Sequence, residues 1–422
     1  MTAPVPARTD VLVVGAGPAG SSAAAWAARA GRDVVLADAA VFPRDKTCGD
    51  GLTPRAIEEL ARLGLDDWIR AHTLNHGLRA HGFGQTLLLP WPGPGKNGTG
   101  LPAYGSAVAR TELDDHLRTT AIKSGATGID GVRAVDARIE GGRVVAVVFS
   151  SGEETFEIGC ERLVVADGVR SGLGKVLGRE WHRDTVYGVA GRSYVDSAMS
   201  DDPWITSHLE LRGPSTGSGA QGPVLSGYGW IFPLGDGSVN LGVGTLATAK
   251  RPADIALRPL MKHYAELRRE DFQLSGDLRM PTSALLPMGG AVSNVAGANW
   301  ALIGDAAACV NPLNGEGIDY GLETGRLVVD VLDEDLAAVW PTLLREHYGE
   351  AFSIARRLAA VVTVPRALAA LGPAGMRSDW MMTLALRWMG NLVTDEDRDR
   401  AARVWRWAGR RSVKLDNRPP FS

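Results

Sequence analysis

The sequence predicts an α/β fold in which a Rossmann-like nucleotide-binding domain is assembled from separated segments. An inserted antiparallel β-sheet domain and a C-terminal helical region complete the predicted architecture. Three observations support it. Residues 11–38 read as strand, glycine turn, helix and strand, residues 186–286 are rich in strand patterns, and α/β character returns at residues 299–332. This order is expected when a sheet domain interrupts a nucleotide-binding domain.

The domain boundaries follow these changes in pattern. The nucleotide-binding domain is predicted to comprise residues 1–75, 105–180 and 295–335. A β-sheet substrate domain takes residues 76–104 and 181–294, and the helical region covers residues 336–422.

The nucleotide-binding prediction rests on residues 11–38, VLVVGAGPAGSSAAAWAARAGRDVVLAD. The apolar run Val11–Val14 is too short for a helix and reads as a buried strand. The alanine-rich helix after the glycine turn would direct its N-terminal amides at a pyrophosphate. Asp38 closes a second strand, at a position where an acid accepts hydrogen bonds from an adenosine ribose. The glycines of the G-x-G-x-x-G motif are Gly15, Gly17 and Gly20.

Local patterns predict further elements between these segments. Thr53 and Pro54 are expected to be the N-cap and first residue of a helix, and Thr111 is expected to cap another. A Gly-Gly pair at residues 141–142 predicts a hairpin turn in a small antiparallel meander. Asp167 begins a turn after the strand LVVA, and a simple turn is a sufficient explanation for it.

The composition argues against several functional classes. A formal net charge of -3, without a lysine-rich run, gives no attraction to nucleic acid. The cysteines Cys48, Cys160 and Cys309 are far apart, so we expect no metal cluster, no disulfide framework and a reducing cytoplasm. The N-terminus lacks the apolar region of a secretory signal, and no run of about 18 apolar residues predicts a spanning helix.

A second constellation of residues comprises Gly304, Asp305, Pro312, Gly315 and Gly317. A carboxylate at the exit of a strand accepts hydrogen bonds from hydroxyl groups, which suits the ribityl chain of a flavin. The dipole of the following helix would stabilise the negative charge at the pyrimidine end of a reduced flavin. A plain turn aspartate is the alternative.

Two further stretches of sequence indicate a narrower class of protein. PRDKTCGDG (residues 43–51) resembles the PR-x-K-x-CGDG sequence of the geranylgeranyl reductase family, with Thr47 where the family usually has Pro. GYGWIFP (residues 227–233) resembles the Y-x-W-x-FP box of that family. Together with the two glycine-containing motifs, they make the chain similar to this family, within the group A flavoprotein monooxygenase superfamily, from Asp10 to the C-terminus. The resemblance implies FAD as cofactor and reduction of a C=C bond in the isoprenoid tail of menaquinone or another prenyl lipid.

The same resemblance implies a set of FAD contacts. Arg110 also has a physical reason of its own, because a cation at the start of a helix can pair with a pyrophosphate. A surface arginine beside Glu112 and Asp114 is the alternative. The implied FAD contacts are Gly15, Ala16, Gly17, Pro18, Ala19, Gly20, Asp38, Cys48, Gly49, Asp50, Arg110, Asp305, Gly317 and Ile318.

The implied chemistry asks for an apolar site with one acid. An isolated alkene is electron-rich, so its reduction needs a proton at one carbon as hydride reaches the other, and aromatic faces stabilise the developing cation. Tyr228, Trp230 and Phe232 alternate on a predicted strand and therefore face one way. We expect them to line the prenyl chain, with core packing as the alternative. Cys48, in a glycine-rich loop, is the candidate catalytic residue; it either donates the proton or sets the shape of the loop.

The helical tail suggests a peripheral contact with the inner face of the cell membrane. Residues 351–390 contain five arginines and one acid, Asp379, among apolar residues. Such a basic amphipathic surface would suit anionic lipid, whereas a helical cap with solvated arginines is the alternative. The arginines are Arg356, Arg357, Arg366, Arg377 and Arg387.

Two other functions remain open at this point. The same FAD framework serves aromatic monooxygenases and halogenases that act on quinone-like or polyketide substrates, and a non-catalytic flavin carrier or membrane adaptor would share it too. No second G-x-G-x-x-G motif follows a strand. The reductant is therefore expected to be external, either NAD(P)H or a redox protein.

Overall fold

A computed structural model describes residues 5–94, 100–214, 222–364, 366–394 and 396–422. The glycine- and proline-containing stretches at residues 91–100 and 212–222, whose composition predicts loops, lie partly outside these ranges.

The strands fall mainly into two large sheets. In chain order they are β1 (Arg8–Val14), β2 (Val34–Asp38), β3 (Gly51–Leu52), β4 (Leu74–Asn75), β5 (Gly77–Gly82), β6 (Gln85–Pro90), β7 (Gly105–Ala107), β8 (Thr127–Asp130), β9 (Arg133–Glu140), β10 (Arg143–Ser151), β11 (Glu154–Val165), β12 (Glu180–Trp181), β13 (Tyr187–Ser197), β14 (Ile205–His208), β15 (Gly227–Pro233), β16 (Ser238–Ala247), β17 (Leu274–Pro287), β18 (Val292–Ser293), β19 (Ala296–Gly297) and β20 (Trp300–Leu302).

The helices flank these sheets and make up most of the chain after residue 317. A 3-10 turn covers Gly304–Ala307, and a π-helical turn covers Arg345–Gly349. The α-helices are α1 (Pro18–Arg29), α2 (Pro54–Arg62), α3 (Asp66–Arg70), α4 (Arg110–Lys123), α5 (Gly172–Val176), α6 (Leu257–Arg268), α7 (Ile318–Val329), α8 (Leu336–Leu344), α9 (Glu350–Val362), α10 (Ala367–Gly375), α11 (Asp379–Met389) and α12 (Arg400–Val413).

The first sheet is the Rossmann-like core. Its strand order is β19-β20-β11-β1-β2-β8, and β20, β11, β1, β2 and β8 run parallel. The first half of the long strand β11 pairs antiparallel with β10, and β10 pairs with β9, so both strands extend the same sheet. Helices α4 and α7 pack on α1. Because both faces of the parallel strands are covered, Val11–Val14 is buried throughout.

The second sheet joins strands that are far apart in sequence. Its order is β17-β13-β16-β15-β14-β5-β6, and all neighbours are antiparallel except β14 and β5. The early hairpin of β5 and β6 therefore belongs with strands made more than a hundred residues later. Helix α6 packs on this sheet. The α/β class, the additional antiparallel sheet and the C-terminal helices agree with the sequence prediction, whereas the exact domain boundaries stay a prediction.

One of the two expectations about helix starts is confirmed and the other is corrected, since Pro54 is the first residue of α2. Thr53 lies at the N-cap of α2, but its hydroxyl donates to Glu316 instead of capping the helix. Thr111 is not an N-cap, because α4 begins one residue earlier at Arg110 and Ala109 precedes it. The start at Arg110 places this residue one turn before Asp114, its ion-pair partner.

The C-terminal helices pack on both sheets, with α8 against β20, α9 against β16 and α12 against α9. In the described part of the chain, no single helix is long and apolar enough to cross a bilayer. Residues Leu336–Val362 and Ala367–Gly375 meet the criterion together by length and composition, but they are bent by 110° relative to each other.

Candidate flavin site and active site

The glycine turn between β1 and α1 has a backbone that other residues would strain. Gly15 has φ +104°, and a Cβ there would lie 2.3 Å from the carbonyl oxygen of Ala166. A Cβ on Gly20 would lie 1.7 Å from the carbonyl oxygen of Gly15, so helix and turn approach closely only with glycine there. Gly17 is the N-cap and Pro18 the first residue of α1.

Two buried or half-buried arginines face this turn. A Cβ on Gly17 would lie 3.4 Å from Nη2 of Arg44 and 3.9 Å from Nη2 of Arg110. Arg110 is buried and pairs with Asp114 through Nε at 2.6 Å and Nη2 at 2.7 Å, and Nη1 of Arg44 lies 2.8 Å from the same carboxylate. Two cations sharing one anion leave a net positive charge before the helix N-terminus, which suits a pyrophosphate. Arg110 is therefore not the surface residue that the alternative assumed.

Asp38 at the end of β2 is hydrogen-bonded to the glycine turn. Its Oδ2 accepts the backbone N–H of Ala16 at 2.6 Å, and its Oδ1 accepts that of Ala40 at 2.7 Å. A carboxylate oxygen can accept more than one hydrogen bond, so Asp38 could also accept one from a ribose hydroxyl. Ala19 packs against Gly304, where a Cβ would lie 2.8 Å from the Cβ of Ala19.

Asp305 faces the start of α7. Its Oδ1 lies 3.0 Å from the position of a Cβ on Gly317, which is the N-cap of α7, and Ile318 is the first residue of that helix. Burial raises the pKa of Asp305, while the charges of Lys46 and Arg110 oppose this rise. Within the described residues the carboxylate accepts no side-chain or backbone hydrogen bond, so it is available to a hydroxyl-bearing ligand.

A loop of residues Cys48–Gly51 lies between the two large sheets. Asp50 has φ +63° and is fully buried. Its Oδ2 accepts the Tyr194 hydroxyl at 2.8 Å and Nδ2 of Asn240 at 2.8 Å, and Asn240 also donates to the Cys48 carbonyl at 2.9 Å. Burial raises the pKa of Asp50 to about 6, although these hydrogen bonds act in the opposite direction.

The three predicted aromatic residues form a row on β15 that faces this loop. The ring centroids of Tyr228 and Trp230 are 5.9 Å apart, and those of Trp230 and Phe232 are 6.3 Å apart. A Cβ on Gly49 would lie 3.3 Å from Nε1 of Trp230, and one on Gly51 would lie 3.0 Å from the ring of Phe232. The row therefore packs directly on the CGDG segment, which only glycines allow at this distance.

Cys48 is a free, partly buried thiol beside Arg110. Burial raises the pKa of the thiol, and the nearby Arg110 guanidinium opposes the rise. The thiol therefore keeps its proton at neutral pH.

Cys160 and Cys309 are free and buried, and no group of three or more potential metal ligands occurs in the described ranges. Asp167 caps its own turn by accepting from Ser171 and Leu173.

The tail arginines do not form the basic surface that their sequence suggests. Arg356 is buried and donates to the carbonyl of Arg418, and Arg357 pairs with Asp416 at 2.7 Å. Arg387 is buried and pairs with two acids of the tail. Three of the five charges are thus occupied within the protein. The exposed members of the set are Arg366 and Arg377.

Sequence reasoning missed Arg44, Asn240, Asn314 and Glu316 as members of this site. Asn240 gave one usable signal, since it is the single amide in the apolar and glycine-rich strand VNLGVG. Its partners lie about 190 residues away in the chain, so spacing alone does not identify them.

The glycine turn, its flanking cations and the Asp305 carboxylate, which accepts no hydrogen bond within the described residues, fit the requirements of a flavin dinucleotide. Comparison with known families agrees, because the model of the FAD binding domain family matches residues 8–228. The chain is thus of the FAD-binding flavoprotein class.

A full-length relative narrows the class. The chain is 61% identical over 420 residues to the menaquinone reductase of Mycolicibacterium smegmatis, and the match covers 98% of this chain and 99% of that relative. The chain therefore belongs to the geranylgeranyl reductase family of FAD-dependent oxidoreductases, as the motifs at residues 43–51 and 227–233 imply.

Solved structures share the fold at low identity. A geranylgeranyl bacteriochlorophyll reductase-like protein from Thermoplasma acidophilum is 20% identical with a TM-score of 0.69, covering 97% of this chain and 96% of that one. A flavin-dependent brominase is 18% identical with a TM-score of 0.71, covering 97% and 100%. At these identities the likeness shows only that reductases and halogenases use one scaffold.

Proposed function

We propose that this FAD-dependent reductase saturates one C=C bond in the isoprenoid tail of menaquinone. The observation that carries the proposal is the 61% identity, over essentially both full lengths, to a menaquinone reductase. The aromatic row on β15 supports it, because an apolar wall beside the cofactor site suits a prenyl chain.

In this proposal the cofactor is held at both ends by residues of the first sheet. Residues 15–20 and the cations Arg44 and Arg110 bind the pyrophosphate, Asp38 binds the adenosine ribose, and Asp305 binds the ribityl chain. Gly317 and Ile318 begin α7, and the backbone amides at this helix start would stabilise negative charge on the flavin ring. When bound and reduced, FAD supplies the hydride.

The protein supplies the environment in which an alkene accepts a proton. Tyr228, Trp230 and Phe232 present aromatic faces that stabilise the positive charge developing at the tertiary carbon. The loop Cys48–Gly51 holds these rings and excludes water from the reacting bond. Cys48 lies in this loop as a neutral thiol and contributes to reduction from there.

The substrate is a membrane lipid, and a patch on the tail gives the protein a means of reaching it. Large apolar side chains are exposed on α10 and α11: Leu371 is 64% exposed, Trp380 is 73% exposed and Met381 is 47% exposed. Arg366 and Arg377 are exposed near them. Apolar side chains bordered by free cations favour an anionic phospholipid surface, so we assign peripheral membrane contact to this patch, which we call the tail patch.

The test is mass spectrometry of menaquinone after incubation with dithionite-reduced protein. The proposal expects a gain of two hydrogens in the prenyl tail and none in the ring. Oxygen consumption coupled to NAD(P)H, with a hydroxylated or halogenated aromatic product, would favour the monooxygenase reading instead. Bound FAD with no prenyl product under any condition would favour the non-catalytic carrier. The electron donor is assigned to an external NAD(P)H or redox protein, and stopped-flow reduction of the flavin by each candidate identifies it.

A further inference from the structure

Two acids lie at the start of α7 and have no role in the cofactor contacts. Glu316 directly precedes the N-cap Gly317; it accepts the hydroxyl of Thr53, and its Oε2 is 3.3 Å from Nδ2 of Asn314. Asp319 lies in the first turn and is fully buried. Its Oδ2 accepts Nδ2 of Asn391 at 2.7 Å, and its Oδ1 has no hydrogen-bond partner among the described residues.

The cation that acts on both acids, Arg55, is already paired. Arg55 donates to both oxygens of Glu323, at 2.9 and 3.1 Å, and the hydroxyl of Tyr348 donates to the same carboxylate at 2.9 Å. Burial acts to raise the pKa of Glu323, but Arg55 and these hydrogen bonds outweigh it and lower the pKa. Glu323 is therefore ionised and neutralises Arg55.

Glu316 and Asp319 have no such compensation. Burial and the nearby carboxyl of Asp319 raise the pKa of Glu316 well above its ordinary value, and burial raises the pKa of Asp319 to about 6. Repulsion between the two carboxyls disfavours charging both, so we expect Glu316, which is half-buried and contacts the Thr53 hydroxyl and the Asn314 amide, to hold a proton at neutral pH.

Glu316 lies beside the aromatic row. The hydroxyl of Tyr228 donates to the carbonyl of Asn314 at 2.5 Å, and the side-chain amide of the same asparagine contacts Glu316. Burial raises the pKa of Tyr228, and ionisation of Glu316 would raise it further, so the two side chains share one electrostatic environment. Glu316 is thus a protonated acid next to the proposed prenyl site.

A polar cavity of about 100 Å³ lies near Asp319. Asn391, which donates to Asp319, lines this cavity, and so do Arg55 and Tyr320. A polar cavity of this size can hold ordered water. Asn391 therefore connects Asp319 to the cavity.

We propose that Glu316 is the acid that protonates the alkene, and that Asp319, Asn391 and the cavity return the proton to it. This inference rests on the proposed function. In the step, the O–H bond of Glu316 breaks as a C–H bond forms at one alkene carbon with the π electrons. The hydride brings the electron pair for the second C–H bond, and Glu316 is left as a carboxylate. A proton relayed from the cavity through Asp319 restores it. Cys48 then shapes the loop.

The sign of the pH dependence follows from the protonated form being active. Reduction is supported below the pKa of Glu316 and is lost as the pH rises through it. The charged and titratable groups that act on Glu316, or on which it acts, are Arg55 from α2, Tyr228 from β15, and Asp319 and Tyr320 from α7.

The test compares E316Q, E316D and D319N with wild type as FAD-loaded full-length proteins. We expect E316Q to lower single-turnover reduction of menaquinone about 100-fold with FAD still bound. E316D, which keeps the acid, should recover part of the rate, and D319N should move the alkaline limb of the pH profile. Glu334→Gln, an exposed glutamate beyond the other end of α7, is the matched control and should behave as wild type.

A second readout does not depend on turnover. Infrared difference spectra of the oxidised protein at pH 7 should contain the carbonyl band of a protonated carboxyl, shifted in D2O and absent from E316Q. An unchanged rate in E316Q, or the same band in E316Q as in wild type, would overturn the assignment. Wild-type protein that leaves menaquinone unreduced would instead refute the proposed substrate, and the infrared band would still decide whether Glu316 holds a proton. If E316Q does not fold, the pH profile of D319N and a shift of the infrared band in E316D carry the test instead.

Discussion

The indole N–H of Trp230 donates to Oδ1 of Asn240 at 2.9 Å. The amide group of that asparagine in turn donates to the Cys48 carbonyl and to Asp50. One side chain on β16 therefore connects the aromatic row to the loop over the cofactor site. The geometry of the proposed prenyl site and of the loop depend on each other through this amide.

Replacing Asn240 with Ala should destabilise the fold by about 2–4 kcal/mol, because it leaves the buried Trp230 N–H unpaired and takes one of two donors from Asp50. Urea unfolding measures the loss. Thr245→Val is the control on the same strand, since the buried Thr245 hydroxyl has no partner in the described chain and its removal should cost little. Equal stabilities for the two variants would contradict the connecting role of Asn240.

Replacing Gly17 with Ala should lower FAD affinity at least about 10-fold without unfolding the protein. The added methyl group would lie 3.4 Å from Arg44, in the space proposed for the pyrophosphate. Fluorescence titration of the apoprotein with FAD measures the affinity, and circular dichroism reports the fold. Gly172→Ala, where a Cβ meets nothing within 4 Å, is the control. Wild-type affinity in G17A would remove this glycine from the proposed contacts.

Replacing Cys48 with Ala should lower alkene reduction while FAD stays bound, because the side chain shapes the loop that carries the aromatic row. We expect the loss to be smaller than that in E316Q, since the thiol is not the proposed proton donor. Single-turnover kinetics with menaquinone compare the two, with Cys309→Ala as a buried-cysteine control. Equal turnover in C48A and wild type would exclude Cys48 from the reaction.

Asp50 should make the protein less stable as the pH rises from about 4 to about 6. Burial raises its folded-state pKa from 3.8 to about 6, so in this window the folded state binds the additional proton. Stability is therefore greatest below the unfolded pKa and declines as the pH passes the folded value, by at most about 3 kcal/mol. The charged and titratable groups around it are Tyr194, Arg192 and Arg110.

Asp50→Asn should reduce that slope in unfolding experiments at pH 4, 5, 6 and 7. Part of it should remain, because Asp319 also has a pKa raised to about 6 and acts in the same direction. An unchanged slope would show that Asp50 is ionised in the folded protein.

The tail patch should bind vesicles that contain phosphatidylglycerol, and the double replacement L371S/W380S should abolish that binding. Both side chains are largely exposed, so their loss should not affect folding. Flotation of protein with vesicles measures the binding. The pair I139S/V135S removes similarly exposed apolar residues from β9 and is the control. Binding that survives in L371S/W380S would remove the tail patch as the lipid contact.

The sequence predicted the cofactor end of the molecule well, because its signals are local. The signals lie within 28 consecutive residues, which include Val11–Val14, the three glycines and Asp38. Hydrophobic pattern and backbone sterics are enough to predict the strand and the turn from them. The cap at Thr111 was wrong because α4 begins one residue earlier, at Arg110, which pairs with Asp114 one turn along the same helix.

The contacts around the proposed prenyl site could not be predicted from local sequence patterns, because they join residues that are far apart in the chain. Asn240 donates a hydrogen bond to a loop about 190 residues before it in the chain. Arg356 donates a hydrogen bond to the carbonyl of Arg418. Local charge counting therefore indicated a basic surface where the fold has internal ion pairs. Whether the aromatic row binds a prenyl chain stays a prediction.

The position of β1 at the centre of the parallel sheet has a consequence for synthesis of the protein. On one side β1 pairs with β2, which follows at once, but on the other it pairs with β11, and α1 is covered by α7. A ribosome that has made the glycine turn must add about 310 further residues before α7 is complete. The first strand and its turn thus emerge long before the partners that bury them, a non-local order that slows folding and prolongs exposure of apolar surface. Stable capture of FAD is consequently among the last events in maturation of the chain, and cells short of the cofactor should accumulate an aggregation-prone, incompletely closed protein.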